Sequence, residues 1–337
     1  MTSPDNRTLL RVNDLKMHFP IYKHGIFSKK VVNHVRAVDG VTFAIERGEV
    51  LGLVGESGCG KTTTGRMILR ALDPTSGEIL FQDDELGEVD VAKLSRDQLK
   101  RIWRNIQIIF QDPYSSLNPR MTLEQIVSEP LHNYKAVDSN KQRDRVAELL
   151  EIVGLRPEYM SRYPHAFSGG QRQRIGIARA LALNPQLIVC DEPVSALDVS
   201  VQAQVLNLLQ ELRDRLELTY LFISHDLSVV RHLSDRVMVM YVGKIVEVAD
   251  TEELFEHVQH PYSEALLASA PTIDPRSKRD RKPLMGEVPD PSNPPSGCYF
   301  HPRCRFAKDR CKVEEPALRE VRPNHWASCH FAEEIEF

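Results

Sequence analysis

The residues with the clearest chemistry lie in one glycine-rich segment. Residues 55–62 fit the phosphate-binding pattern G-x-x-x-x-G-K-[ST] and read Gly55-Glu56-Ser57-Gly58-Cys59-Gly60-Lys61-Thr62. Glycines let backbone N–H groups turn toward phosphate oxygens, and the N-terminus of a following helix adds positive charge. Lys61 suits the β- and γ-phosphates, and Thr62, followed by Thr63, suits Mg²⁺. The segment therefore predicts a P-loop.

A second candidate group follows the apolar run Leu187-Ile-Val-Cys190. Asp191 suits Mg²⁺ through a coordinated water, and Glu192 suits orienting or polarising an attacking water. A strand that ends in two carboxylates is common by itself. Together with the P-loop it predicts hydrolysis of a nucleoside triphosphate.

Strands that alternate with helices would position these groups. The sequence predicts strands over 9–19, 35–46, 50–54, 77–81, 106–110, 187–190, 220–223, 236–241 and 244–248, with a basic loop near Lys29 and Lys30. It predicts helices over 61–72, 170–183 and 200–217 and a helical insertion over 122–153. This alternation favours an α/β fold around a parallel sheet.

Composition limits the class of protein. The chain has 337 residues and a net charge of −4, so no overall charge favours nucleic acid as a partner. Its apolar runs reach about seven residues, as in 237–243, whereas a membrane-spanning helix needs about 20. The first residues show no basic segment and no apolar segment, so we expect no signal peptide.

Further motifs identify a family. Phe167-Ser168-Gly169-Gly170-Gln171-Arg-Gln-Arg174 resembles the signature of ATP-binding cassette (ABC) ATPases. Gln111, the segment Ser195-Ala-Leu-Asp198 and His225 resemble the Q-loop, D-loop and switch histidine of that family, in its order. The resemblance implies a RecA-like parallel-sheet core, an antiparallel β subdomain and a helical signature subdomain.

The resemblance also implies roles. Ser168, Gly169, Gly170 and Gln171 begin a helix and form a second anion site, which in this family faces the P-loop of a second subunit. The chain would then be half of a motor that binds two ATP molecules. Glu192 would be the catalytic carboxylate. Gln111 would contact Mg²⁺ or the attacking water, His225 the γ-phosphate, and Asp198 the other cassette. Phe19, with Tyr22 as the second candidate, would stack on adenine.

Two further segments resemble the oligopeptide/dipeptide importer ATPases, and within them the second ATPase subunit of the dipeptide importer. These are Gln111-Asp-Pro-Tyr-Ser-Ser-Leu-Asn-Pro119 and Gly297-Cys-Tyr-Phe-His-Pro-Arg-Cys304. The resemblance implies a sister ATPase subunit, two membrane permeases and an external binding protein, with this chain peripheral at the cytoplasmic face of the inner membrane. Residues 112–131 would dock a permease helix, with Tyr114, Leu117 and Met121 as candidate contacts.

Other functions stay open from the sequence. Nickel and glutathione importers use similar cassettes, and a soluble ABC ATPase outside transport is a further alternative. Such soluble proteins have long coiled-coil arms or two fused cassettes, and neither pattern is present in this sequence.

Four of the six cysteines lie within the last 40 residues: Cys298, Cys304, Cys311 and Cys329. In a reducing compartment, clustered thiolates suit Zn²⁺ or an iron–sulfur cluster, and the spacing alone leaves zinc, a cluster and unligated thiols open. The family resemblance favours a [4Fe–4S] cluster with a structural role. Cys59 and Cys190 are expected to fill buried space beside the nucleotide site.

These observations divide the chain into three parts. We expect a nucleotide-binding domain over residues 8–270, with its helical subdomain at about 112–183. A proline-rich linker over 271–297 and a cysteine-rich extension over 298–337 follow.

Overall fold

The computed structural model describes residues 7–24, 29–138, 140–269 and 286–335. Residues 7–269 are named the body below, and residues 286–335 the tail. In the described part of the chain, every helix is too short or too polar to span a bilayer.

The described residues form twelve strands in two sheets. The strands are β1 (Thr8–His24), β2 (Lys29–Glu46), β3 (Val50–Val54), β4 (Ser76–Asp83), β5 (Gly87–Asp90), β6 (Ile106–Ile109), β7 (Leu187–Asp191), β8 (Thr219–Ser224), β9 (Arg236–Tyr241), β10 (Lys244–Asp250), β11 (Arg319–Arg322) and β12 (His325–Ala327).

The described residues also form ten α-helices, most of them in the body. They are α1 (Lys61–Ile68), α2 (Arg96–Asn105), α3 (Leu123–Asn133), α4 (Gln142–Ile152), α5 (Gly169–Leu181), α6 (Val199–Leu216), α7 (Leu227–Leu233), α8 (Thr251–Glu256), α9 (Pro261–Ser269) and α10 (Asp309–Val313).

The larger sheet has the strand order β11-β12-β10-β9-β3-β8-β7-β6. Strands β9, β3, β8, β7 and β6 are mutually parallel, which confirms the parallel core, and β10, β12 and β11 extend it in antiparallel pairing. The smaller sheet, in the order β2-β1-β4-β5, is antiparallel throughout.

Both faces of the central strands are buried, as expected for a parallel sheet covered on two sides. In β3, Val50 and Val54 pack into the layer that contains the helical insertion, whereas Leu51 and Leu53 pack into the layer that contains the β1–β2 hairpin. This two-sided burial explains why β3, β7 and β8 are almost uninterrupted apolar runs.

Several predicted bounds were wrong. Lys29 and Lys30 belong to strand β2 rather than to a loop, because β1 and β2 continue their pairing to His24 and Lys29. Helix α1 ends at Ile68 rather than at residue 72, and Arg70 follows it in a left-handed conformation with φ 51°. The sequence analysis also missed the strands β5, β11 and β12 and the helices α2, α7, α8, α9 and α10.

The helical insertion predicted over 122–153 consists of two helices, α3 and α4. Thr122 begins α3 by accepting a hydrogen bond from the backbone N–H of Gln125 at 3.3 Å. Helix α3 ends before Lys135, whose φ of 50° is left-handed, and α4 starts only at Gln142. The charged segment 122–153 therefore contains a non-helical stretch between α3 and α4 that its helical spacing did not indicate.

The tail packs against the body. Strand β12 pairs with β10, opposing Glu247 to Ala327 and Val248 to Trp326. The backbone N–H of Arg36 donates to the carbonyl of Pro291 at 2.9 Å. Of the linker expected over 271–297, residues 271–285 lie outside the described residues, and the part from 286 onward contacts strand β2.

A buried ion pair joins the two parts. His325 Nε2 lies 2.7 Å from Glu247 Oε1, and both side chains are 0% exposed. The Glu247 carboxylate also accepts hydrogen bonds from the backbone N–H groups of Gln259 at 2.6 Å and His260 at 3.1 Å. A buried charge needs such partners, so this carboxylate ties β12 to the body.

We expect His325→Ala to lower the free energy of unfolding by about 2–3 kcal/mol, because it removes one partner of a buried charge. Urea denaturation followed by tryptophan fluorescence would measure this, since Trp326 lies in the same strand. His34→Ala, at an exposed position of β2, is the control and should change stability by less than about 0.5 kcal/mol. Equal stability of His325→Ala and wild type would contradict the assignment.

Candidate functional site

The P-loop connects strand β3 to helix α1 and forms the floor of a cavity of about 510 Å³. The lining residues come from five segments of the body: Ala37, Ser57, Gly58, Gly60, Lys61, Thr62, Thr63, Gln111, Glu192 and His225. Six of the nine residues predicted from the P-loop thus face the cavity, while Gly55, Glu56 and Cys59 lie behind it.

Gly60 shows why the loop needs glycine. Its φ is 113°, and a Cβ atom there would lie 2.3 Å from the carbonyl oxygen of Ala37. Lys61 Nζ donates to the carbonyl oxygens of Gly55 at 2.6 Å and Glu56 at 3.0 Å. The ammonium group is therefore held across the loop by its backbone, and it lines the cavity.

Thr62 and Asp191 meet beside the loop. The Thr62 hydroxyl donates to Asp191 Oδ1 at 2.8 Å. Burial raises the pKa of Asp191, against the lowering effect of that hydrogen bond. A hydroxyl and a carboxylate are hard oxygen ligands of the kind that Mg²⁺ prefers, so the donor set fits the predicted cation.

Two of the three predicted catalytic side chains converge on one oxygen of the third. Gln111 Nε2 donates to Glu192 Oε2 at 2.9 Å, and His225 Nδ1 lies 3.1 Å from the same atom. Glu192 has a left-handed backbone with φ 48°, a conformation that is costly for a residue with a side chain and that clusters at functional sites. The geometry places one carboxylate between an amide and an imidazole at the cavity wall.

The signature residues form a separate site. Ser168 Oγ accepts from the backbone N–H of Gln171 at 3.3 Å, and the Gln171 side chain accepts from the N–H of Ser168 at 3.1 Å, which is a capping box. A Cβ atom on Gly170 would lie 2.3 Å from Val201 Cγ1, so this glycine permits close packing of α5 on α6. Gly169 begins α5.

Asp198 caps helix α6 through the backbone N–H of Val201 at 3.0 Å, and hydrogen bonds from Ser200 and Val201 lower its pKa. Neither Asp198 nor residues 168–171 line the nucleotide cavity. The structure thus brings the P-loop, Asp191, Glu192, Gln111 and His225 together but not the signature.

Phe19 lies on the β1–β2 hairpin. It pairs with Val35, two residues before the cavity residue Ala37, and Ala37 itself lies at a register shift between the two strands. Phe19 is 39% exposed and does not line the cavity itself.

The four tail cysteines line one small, largely apolar cavity, together with His260 of the body and Phe300, Phe306 and Phe331 of the tail. Burial raises the pKa of Cys298 to about 12 and that of Cys304 to about 11, and it raises the pKa of Cys329. Within the described ranges, no three His, Cys, Asp or Glu side chains are arranged to hold a metal ion. The structure therefore brings the cysteines together without supporting the predicted metal centre.

Three residues at the site were missed by the sequence analysis. Ala37 lines the cavity, the Tyr262 hydroxyl accepts a hydrogen bond from the backbone N–H of Glu56 at 2.8 Å, and Arg303 pairs with the Glu56 side chain. Ala37 and Tyr262 belong to no motif, and Arg303 lies in the tail motif 297–304, to which the sequence analysis gave no role at the P-loop. Tyr262 and Arg303 also lie more than 200 positions from Glu56.

Known proteins resemble both parts of the chain. A family model described as "ABC transporter" matches residues 38–195, and one described as "Oligopeptide/dipeptide transporter, C-terminal region" matches residues 246–311. The oligopeptide transport ATP-binding protein AppF of Bacillus subtilis is 53% identical over 98% of this chain and 99% of that protein. The putative oligopeptide transport ATP-binding protein YkfD of the same organism is 51% identical over 97% of each chain.

Solved structures resemble the body. The dimeric ATP-binding cassette MJ0796, in a post-hydrolysis state with ADP and Pi, is 29% identical and aligns with a TM-score of 0.61 over 72% of this chain and 99% of its own. The cbiO1 protein of Clostridium perfringens, part of the ABC transporter complex cbiONQ, is also 29% identical, with the same TM-score over 74% of this chain and 91% of its own.

Cys59 gives a chemical test of the cavity floor. Its side chain is 3% exposed, and burial raises its pKa, so the reactive thiolate is scarce. We expect N-ethylmaleimide to abolish nucleotide binding slowly, since a bulky adduct there would displace the P-loop, and bound ATP to slow the loss. Cys59→Ser should resist the reagent under the same treatment. Equal loss of nucleotide binding in this variant would locate the sensitive thiol elsewhere.

Proposed function

This chain belongs to the ABC transporter family and is an ATPase, and we propose that it powers the import of peptides through a pair of membrane permeases. One observation carries the proposal: a single cavity joins the P-loop to Glu192, Gln111 and His225, with the Thr62–Asp191 pair beside it. The triphosphate of ATP matches the loop in charge, and Lys61 would meet its β- and γ-phosphates.

Thr62 and Asp191 would hold Mg²⁺, with Gln111 as a further ligand. When bound, the cation neutralises charge on the β- and γ-phosphates. The chain itself positions these two ligands. The Thr62 hydroxyl donates a hydrogen bond to Asp191 at 2.8 Å, so both oxygens are in place before the substrate binds.

Glu192 would orient and polarise the attacking water. Gln111 and His225 both contact the Oε2 atom of Glu192. We propose that ATP binding replaces these contacts with contacts to the attacking water and the γ-phosphate. A carboxylate held by two neutral or cationic partners stays in one position, which serves the alignment of water for in-line attack.

The signature residues would complete a second chain's site. Ser168 to Gln171 form an N-terminal helix cap away from the cavity, so a second cassette is needed to bring such a cap to the γ-phosphate. The structural relative MJ0796 is dimeric. We propose pairing with a sister ATPase subunit, with Asp198 at the shared interface.

Phe19 is the proposed adenine platform. Its pairing with Val35, two residues from the cavity residue Ala37, and its exposed ring support stacking on a base beside the P-loop. Tyr22 is the second candidate and is also exposed.

Peptide cargo is favoured over nickel or glutathione by the names of the relatives, which are oligopeptide or peptide transport proteins. The proposed place of the chain is peripheral, on the cytoplasmic face of the membrane, with an external binding protein delivering cargo. In the proposed permease-docking segment, Tyr114 is exposed with Arg172 over its ring at 4.1 Å, whereas Leu117 is buried in the core and cannot contact a partner directly.

A [4Fe–4S] cluster in the tail is proposed on the convergence of Cys298, Cys304, Cys311 and Cys329 on one apolar cavity, with Zn²⁺ as the alternative. Burial raises the pKa of Cys298, Cys304 and Cys329, and a bound cationic centre would instead favour their thiolate forms as ligands. Such a centre would supply folding free energy to the tail.

We expect Glu192→Gln to bind ATP as wild type does but to lose at least about 100-fold in ATP turnover, because the amide cannot accept a proton from water. The measurement is phosphate release and peptide uptake by the full transporter in liposomes. Glu211→Gln, at an exposed position of α6, is the matched control and should leave turnover unchanged. Undiminished turnover in Glu192→Gln would contradict its role.

Iron, zinc and acid-labile sulfide analysis of the chain purified without oxygen tests the tail. We expect four irons and four sulfides per chain, as the cluster's formula requires, and their loss in Cys304→Ala. One zinc without sulfide would replace the cluster by the alternative, and a metal-free protein would refute both.

A further inference from the structure

The tail reaches the back of the P-loop through one side chain. Arg303 Nη1 lies 2.7 Å from Glu56 Oε2, and Arg303 Nη2 lies 3.2 Å from Glu56 Oε1. This is the two-pronged geometry of a guanidinium on a carboxylate, which fixes orientation as well as distance. The Arg303 side chain is only 5% exposed, whereas that of Glu56 is 27% exposed, so solvent reaches the pair mainly from the carboxylate side.

Glu56 is held from both sides. Its backbone N–H donates to the Tyr262 hydroxyl at 2.8 Å, and its carboxylate accepts from Arg303. Phe300 of the tail packs edge-on against the rings of Tyr241 at 5.2 Å and Tyr262 at 5.5 Å. The tail thus supports Glu56 directly and also supports the tyrosine that binds its backbone.

The carbonyl of the same residue binds the lysine of the site. Lys61 Nζ donates to Glu56 O at 3.0 Å. A chain of contacts therefore runs from Arg303 through the side chain and then the backbone of Glu56 to the ammonium group that lines the nucleotide cavity.

We propose that Arg303 is a positioning residue for ATP binding: it fixes Glu56 and thereby the P-loop backbone that orients Lys61. The P-loop is then ordered before the nucleotide binds, so binding does not incur the loss of backbone conformational entropy that ordering the loop would require. The inference rests on the proposed nucleotide site, and it assigns the tail a part in that site that the sequence analysis did not anticipate.

A tail arginine of the same chemistry provides the control. Arg305 Nη2 lies 2.9 Å from Glu264 Oε1 and also joins tail to body, but it does not touch the P-loop. If Arg303 only docked the tail, loss of either arginine would have comparable effects. If Arg303 positions the P-loop, only its loss alters nucleotide affinity.

The test is calorimetric binding of MgATP to the full chain, with thermal unfolding of every variant. We expect Arg303→Gln to raise the Kd for ATP about tenfold, and Arg303→Lys to raise it less, since lysine keeps the charge but loses the fork. Arg305→Gln should leave the Kd unchanged. In the assembled transporter, Arg303→Gln should raise KM for ATP while kcat at saturating ATP stays within about twofold.

Glu56→Gln keeps the experiment decisive if Arg303→Gln does not fold. It should raise the Kd to the same extent, and the double variant should show no further rise, because both changes break one interaction. An unchanged Kd in the Arg303 variants, or an equal rise in Arg305→Gln, would overturn the inference. Failure of the wild-type chain to bind ATP would instead overturn the proposed function.

Discussion

Parallel pairing of β6, β7, β8 and β3 is the constraint on which the site depends. In register, Ile109 opposes Cys190, Asp191 opposes Ile223, and Val54 opposes Ser224, so the four strands end at one level. Each strand is followed at once by chemistry: Gln111 after β6, Glu192 after β7, His225 after β8 and the P-loop after β3. A slip of one residue in any pair would move a functional group by about 3.3 Å and turn its strand's side chains to the other layer.

The sequence motifs made the site at the ends of these four strands predictable. Each has a fixed spacing and a fixed place at a strand end, so the sequence anticipated the P-loop, the Asp191–Glu192 pair and the approach of Gln111 and His225. The packing of the tail was less predictable, because its contacts with the body join residues more than 70 positions apart, such as Glu247 with His325 and Glu56 with Arg303. No local periodicity encodes such pairs. The break between α3 and α4 was missed because amphipathic spacing continues on both sides of it.

The P-loop and the signature segment differ in the contacts that complete their local structure. At the P-loop, backbone carbonyls hold Lys61, and the hairpin and tail support the loop from behind. At the signature, Ser168 and Gln171 satisfy each other, and Gly170 allows α5 to lie against α6. The P-loop lines a cavity of this chain, whereas Ser168 of the signature is exposed at the surface, as the proposed pairing with a second cassette requires.

The position of β12 beside β10 also bears on solubility. Without the tail, β10 would present a row of unpaired N–H and C=O groups along an apolar strand, the kind of edge on which sheets of different molecules join. Strand β11 takes over the edge, and its sequence Arg-Glu-Val-Arg is short and charged. A chain without β11 and β12 would therefore expose β10 as an unpaired sheet edge, whereas the short, charged strand β11 disfavours edge-to-edge pairing with another copy.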